Sequence, residues 1–232
     1  MRNLNNHSGT HKFRLAASII CDDFSNLYLT LKLLNKAHIE GLHFDVMDGI
    51  FVPRYGLFPE LLKTIKKLSK VPVDVHLMVQ DAQPYIEIFV KSGADIITVH
   101  SESERHLSRT IRLIKEAGVK AGVAINPATP LDVLDYIIDD LDSVLILGIN
   151  PGIVGHPLIE KTYDKIHDLK TKLEGKSNII ISVDGGVTFA SAPKMVELGA
   201  NMLVCGTSTI FNQKRSIDKM VIDLRKKINS SL

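Results

Sequence analysis

The feature that most constrains this chain is a repeating alternation of two kinds of segment. Short apolar runs rich in β-branched residues occupy residues 15–20, 41–46, 71–76, 96–100, 120–125, 143–149, 178–183 and 202–205. Runs this short and this continuously apolar suit strands buried on both faces. Between them the apolar residues fall three and four apart, as on one face of a helix. Leu27, Leu31 and Leu34 share a face, as do Leu61, Ile65 and Leu68, and Ile111, Ile114 and Ala117. Gly118 suits the left-handed residue after a last helical turn. Leu131, Leu134 and Ile138 predict a further helix, with Thr129 as N-cap and Pro130 in the first turn, and another runs through 159–173. Each connection is too long for a hairpin and long enough to return the chain to a parallel strand. Eight such units predict an α/β fold, a single-domain (β/α)8 TIM barrel over residues 14–232. The rival is a doubly wound open sheet, which usually carries a glycine-rich turn after its first strand. Here that position reads Cys21-Asp22-Asp23-Phe24, without glycine.

In such a barrel the C-terminal ends of the strands converge on one mouth, and polar residues gather at those ends. Ser18 lies in the first run, His43 and Asp45 in the second, His76 ends the third and His100 the fourth. Asn126 and Asn150 follow the fifth and sixth, and Asp184 follows the seventh. Residues two apart on a strand point the same way. His43 and Asp45 therefore face the lumen together, with Phe44 and Val46 turned to the helices. Two imidazoles and two carboxylates, His43, Asp45, His76 and Asp184, can meet around one divalent ion. Mixed nitrogen and oxygen donors suit zinc, iron(II), manganese or cobalt better than calcium or magnesium. Buried without a cation, two carboxylates would be costly. His100 by itself reads as a hydrogen-bonded structural residue.

Glycines mark a second feature at the same strand ends. Asp184-Gly185-Gly186 follows the seventh run, Cys205-Gly206-Thr207-Ser208 the eighth, and Asn150-Pro-Gly-Ile-Val-Gly155 the sixth. Loops seven and eight of a barrel commonly hold a phosphate through backbone N–H groups, and glycine allows a close backbone approach.

Composition narrows the function further. The chain has 28 basic and 26 acidic side chains, a formal net charge of +2, so no strong field draws it to nucleic acid or an anionic membrane. It has two cysteines, Cys21 and Cys205, too few and too far apart for a disulfide scaffold or a zinc finger. No apolar run approaches the roughly 20 residues of a membrane helix. Residues 1–13 are expected to form a loosely packed N-terminal tail. The stretch from Met1 to Lys12 is polar and lacks the apolar core of a secretory signal, so a cytoplasmic protein is expected.

Read together, these blocks resemble the ribulose-phosphate 3-epimerase family. The matching pieces, in family order, are Ala17-Ser-Ile, His43-Phe-Asp-Val-Met-Asp-Gly49 with Phe51-Val-Pro53, Asp74-Val-His-Leu-Met78, Gly93-Ala-Asp-Ile-Ile-Thr-Val-His100, Asn126-Pro-Ala-Thr-Pro130, Asn150-Pro-Gly152, Val183-Asp-Gly-Gly186 and the stretch from Gly206 to Phe211. The resemblance implies a barrel binding one divalent metal ion, usually zinc or iron(II), that interconverts D-ribulose 5-phosphate and D-xylulose 5-phosphate. It implies His43, Asp45, His76 and Asp184 as ligands, with Asp45 as proton acceptor and Asp184 as donor. Ser18 and His76 would touch substrate. Met47 and Met78 would pack around a planar intermediate. Gly152, Gly155, Gly185, Gly186, Gly206 and Thr207 would line the phosphate end. The partners expected are a sugar phosphate and further copies of the same chain, with neither nucleic acid nor membrane.

The chain also departs from the family's pattern. Arg54 replaces an asparagine, and Tyr55-Gly-Leu-Phe58 replaces a Ser/Thr-x-Gly pattern. Leu147 replaces a methionine, with Gly148 at a usual threonine, and Ile153-Val-Gly-His156 replaces Phe-Gly-Gly-Gln. These changes leave the reaction type and open the choice of sugar. Gly206-Thr-Ser also resembles the branch that epimerises D-allulose 6-phosphate. Phosphate-binding decarboxylases carry Asp-x-Lys-x-x-Asp at a strand end, whereas this chain reads His43-x-Asp45-x-x-Asp48, without the lysine. A catalytically idle sugar-phosphate-binding protein is the alternative of a different class.

Overall fold

Parallel strands alternate with helices along the whole computed structural model, which describes residues 13–153, 155–176, 178–212 and 215–232. The strands are β1 (Arg14–Ser18), β2 (Gly41–Met47), β3 (Val73–Met78), β4 (Ile96–His100), β5 (Lys120–Ile125), β6 (Ser143–Leu147), β7 (Ile180–Asp184) and β8 (Met202–Cys205). They pair in sequence order, and β1 also pairs with β8, which closes an eight-stranded parallel barrel. The open-sheet rival is thereby excluded. The helices are α1 (Leu27–Lys36), α2 (Pro59–Leu68), α3 (Gln83–Ser92), α4 (Leu107–Glu116), α5 (Thr162–Lys172), α6 (Ala192–Glu197) and α7 (Ile217–Asn229).

The strands obey the two-residue period. On β2, Leu42, Phe44 and Val46 join the core between sheet and helices, so Phe44 and Val46 do face the helices. Ala124, Leu145, Leu147 and Val204 form a separate apolar plug inside the barrel. Each fully buried large aliphatic or aromatic side chain contributes about 1.5–3 kcal/mol. The helices supply the other wall: Leu31 and Leu34 of α1, Leu62 and Ile65 of α2, and Ile111 and Ile114 of α4 are all buried. Gly118 takes a positive φ of 81° just beyond α4, the left-handed exit expected of it.

Four expectations are corrected. Residues 131–138 form no α-helix; two 3-10 turns, Leu131–Leu134 and Ile138–Asp140, bridge β5 and β6. The spacing of three between Leu131 and Leu134 suits a 3-10 turn as well as an α-helix. Pro130, not Thr129, stands at the N-cap position. On α2 the buried face runs through Leu62, and Leu68 is exposed. Several strand limits shift by one or two residues, and β1 ends at Ser18, where a 3-10 turn (Ile19–Cys21) begins.

Phe13 is buried against the core; the rest of the expected N-terminal tail lies outside the described residues. Among those residues, no helix is long and apolar enough to cross a membrane.

Candidate active site at the barrel mouth

Strand register alone gathers the polar side chains. Ser18 pairs with His43 across β1 and β2, Asp45 pairs with His76 across β2 and β3, and Met47 pairs with Met78. Parallel neighbours lie about 4.8 Å apart, so paired residues that share the lumen face must touch. The barrel's curvature brings Asp184, the last residue of β7, to the same place.

One ligand-type atom from each of His43, Asp45, His76 and Asp184 lies within 4.8 Å of the other three. His43 Nε2 is 3.2 Å from His76 Nδ1 and 3.2 Å from Asp45 Oδ1, and His76 Nδ1 is 3.3 Å from the same Asp45 oxygen. Asp184 Oδ2 stands 3.8 Å from His43 Nε2. A tetrahedral site with bonds of about 2.0–2.1 Å has edges of about 3.3–3.4 Å, so three donors already have that spacing, and the fourth stands 3.8 Å from one of them. His43, Asp45 and His76 are buried, whereas Asp184 keeps 23% of its side-chain surface exposed.

The electrostatics of the donor set call for positive charge. Burial pushes the Asp184 carboxyl up to about 6, and the charges of Asp45 and Asp74 add to it against the pull of His43. Burial also opposes ionisation of Asp45, but His43 and His76 overcome it and hold that carboxyl well below the usual range. His43 is raised well above the ordinary imidazole range: burial works against its charge, and Asp45, Asp74 and Asp184 outweigh burial. His76, buried and beside the other two imidazoles, is lowered to about 4. The residues therefore fit a divalent cation in spacing, donor type and charge.

The remaining candidates fall around this cluster. Ser18 Oγ donates to Asp45 Oδ2 at 2.9 Å, on the side of the carboxylate turned from the imidazoles. Met47 and Met78 pack with Val52, Ile20 and Phe51 in a small apolar group. Gly152, Gly185, Gly186, Gly206 and Thr207 all follow the C-terminal ends of β6, β7 and β8. Gly185 and Gly186 have φ of 83° and 71°, a conformation that L side chains rarely adopt. A β-carbon on Gly148 would meet the Gly185 carbonyl oxygen at 2.2 Å; this chain has no room there for a larger residue. Gly152 lies against Val52, while nothing lies within 4 Å of a β-carbon built on Gly155. Val154 lies outside the described residues. Of the departures, Arg54 is half-buried, Tyr55, Phe58 and His156 are exposed, and Leu147 belongs to the internal plug.

Three further residues meet the cluster and were not singled out from the sequence as site residues. Asp74 Oδ2 lies 3.4 Å from His43 Nδ1, a charge contact that is not aligned as a hydrogen bond. Its position two before His76 on one strand was the available signal. His100 Nε2 lies 2.9 Å from His76 Nε2, and Glu102 lies behind His100.

A closed parallel barrel with a two-histidine, two-carboxylate cluster at its C-terminal mouth defines the class: a TIM-barrel enzyme whose strand ends carry the chemistry. The chain belongs to the ribulose-phosphate 3-epimerase family, whose model matches residues 14–211, and so to the isomerases that act on carbohydrates. It is 44% identical over 202 residues to ribulose-phosphate 3-epimerase of Bacillus subtilis (strain 168), covering 86% of this chain and 93% of that one. It is 40% identical over 220 residues to the enzyme of the same name from Escherichia coli (strain K12), covering 93% and 97%. Among solved structures, 3-hexulose-6-phosphate synthase from Salmonella typhimurium superposes with a TM-score of 0.70 at 16% identity, covering 95% of this chain and 100% of that one. That last likeness speaks for the fold alone.

Proposed function

We propose that this chain is a metal-dependent 3-epimerase of a ketose phosphate, interconverting D-ribulose 5-phosphate and D-xylulose 5-phosphate. The observation that carries the reading is a pair of carboxylates, Asp45 of β2 and Asp184 of β7, brought into one cluster with two imidazoles. Inverting the carbon beside a ketone requires a proton to leave one face and another to arrive on the opposite face. One carboxylate then serves as the proton acceptor and the other as the donor. Asp45 takes the C3 proton, and Asp184 delivers one to the other face; the reverse direction exchanges the roles. The net change is configuration at C3, with no atom gained or lost. Asp184, partly exposed, exchanges its proton with water.

A divalent ion held by His43, Asp45, His76 and Asp184 supplies Lewis-acid stabilisation of the negative charge that develops on the ketone oxygen. Zinc is the ion proposed, and the same donors suit iron(II), manganese or cobalt. Ser18 holds the outer oxygen of Asp45 and fixes the carboxylate's rotation. Ser18 and His76 touch substrate, and Met47 and Met78 cover the planar intermediate. Amides at Gly152, Gly155, Gly185, Gly186, Gly206 and Thr207 hold the phosphate without a lysine or arginine. The names of the relatives at 40–44% identity support the pentulose phosphates as substrates. The free thiols Cys21 and Cys205 suit a reducing compartment and thus the cytoplasm. Exposed Tyr28, Ile50 and Tyr55 offer apolar surface for a homo-oligomer.

The test is incubation of zinc-loaded protein in D2O with a panel of pentulose and hexulose phosphates. Deuterium at C3 of ribulose 5-phosphate and xylulose 5-phosphate, followed by NMR, is the expected result. Deuterium entering allulose 6-phosphate faster would move the substrate to the hexuloses. Binding of every sugar without exchange at C3 would overturn the catalytic reading.

A further inference from the structure

His100 closes β4 and is fully buried, with a Phe51 ring 4.7 Å away and the His76 ring 4.9 Å away at 22° to its own plane. Its Nε2 is 2.9 Å from His76 Nε2, and its Nδ1 is 3.2 Å from Glu102 Oε2. The other carboxylate oxygen, Glu102 Oε1, accepts the Asn126 backbone N–H at 2.9 Å. The turn that offers this N–H is itself pinned. Lys165 Nζ donates to the carbonyls of Asn126, Pro127 and Thr129 at 2.8, 2.7 and 2.7 Å.

The direction of this chain of hydrogen bonds follows from its end. An ionised carboxylate only accepts, so His100 carries its hydrogen on Nδ1. A neutral imidazole that donates through one nitrogen accepts through the other, so His100 Nε2 is an acceptor. His76 must then donate from Nε2, which leaves its Nδ1 bare. That bare nitrogen is the atom that lies 3.2 Å from His43 Nε2 and 3.3 Å from Asp45 Oδ1. His43 is backed differently: Asp74 stands directly behind its Nδ1, and Thr98 Oγ1 donates to the other Asp74 oxygen at 2.7 Å.

We propose that His100 and Glu102 are positioning residues, a relay that locks His76 in its Nε2–H form and presents a bare Nδ1 to the cation. The inference rests on the metal centre proposed above and adds two residues to it. Groups that orient a ligating histidine change metal affinity by about 10–100-fold when removed. The rival arrangement runs the other way, with a doubly protonated His100 donating to His76 Nε2 and His76 donating from Nδ1 to Asp45. That arrangement blocks the ligand atom.

The experiment measures zinc affinity of the full chain by competition with a chelator, for the wild type and for His100→Leu, His100→Gln and Glu102→Gln. Circular dichroism checks the fold of each variant. His100→Leu is expected to lose affinity by about 10–100-fold. His100→Gln, whose amide oxygen can accept the His76 hydrogen, recovers most of that loss, which mere packing would not explain. Glu102→Gln, at a partly exposed position, shows a smaller loss and carries the same test should His100→Leu not fold. In the metal-free wild type, 15N spectra are expected to show His76 protonated at Nε2 and His100 at Nδ1, with coupling across the N–H···N bond. Affinities unchanged in all three variants, or a proton on His76 Nδ1 in the metal-free protein, would overturn the relay and leave the metal centre standing. A wild type that takes up no zinc would overturn both.

Discussion

Asp45 meets three side chains with two oxygens. Oδ1 faces His43 and His76, and Oδ2 accepts from Ser18. Asp184 faces the same centre from β7 with far fewer partners and with access to water. The two carboxylates thus differ in environment, not in type, and this difference allows one to take a proton while the other gives one. Asp45→Asn and Asp184→Asn each keep size and shape while removing a basic oxygen. Turnover is expected to fall by at least about 100- to 10,000-fold in each, the range typical of a lost general acid or base. Far-ultraviolet circular dichroism should stay unchanged. Near-normal turnover in both variants would rule out transfer between two aspartates. The four ligand candidates were legible because they stand in dense strand-end blocks. His100 was read as structural and Glu102 passed over. A strand-end histidine shows nothing of its neighbours, and Glu102 lies beyond the strand, where the two-residue period no longer applies.

The junction of β6 and β7 is where an element's geometry reaches the chemistry. Gly148 donates its N–H to the Asp184 carbonyl at 2.7 Å and accepts from Ile159 N–H at 2.9 Å. A β-carbon there would stand against the backbone of Gly185, which cannot move aside as a side chain would. Gly148→Ala is expected to destabilise the fold by about 1–3 kcal/mol, the cost of overpacking, and to displace Asp184 so that turnover falls far more than stability. Gly175→Ala is the control. Gly175 also has a positive φ, at 81°, but its β-carbon would meet nothing within 4 Å. It should cost about 1 kcal/mol through backbone strain and leave turnover of the folded fraction intact. Urea melts and initial rates on the two variants separate the effects. The helical layer shows the limit of local reading: residues 131–138 have helical spacing yet form two 3-10 turns, and the spacing of three between Leu131 and Leu134 fits both periods.

For the whole molecule, the consequence of the cluster is linkage between metal and fold. Its four donors come from β2, β3 and β7, so the unfolded chain offers no comparable site. An ion at 100 times its dissociation constant then stabilises the folded state by about 2.7 kcal/mol. In a domain of this size that raises Tm by about 5–11 °C. Melts with zinc, with chelator and with zinc restored should show the rise, its loss and its return. A Tm indifferent to all three would count against a metal centre.

The alternation of strands and helices, the side of each strand that faces the lumen, and the family blocks along residues 14–211 were determined by the sequence itself. Each depends on neighbours a few positions apart, and side-chain period and turn chemistry are local. The meeting of Asp184 with His43, and of His76 with His100 and Glu102, was decided only by tertiary structure. Those contacts depend on which strands pair, in what register, and on closure of β8 against β1. Long-range hydrogen bonding and the packing of side-chain volumes settle these, and no short stretch of chain contains them.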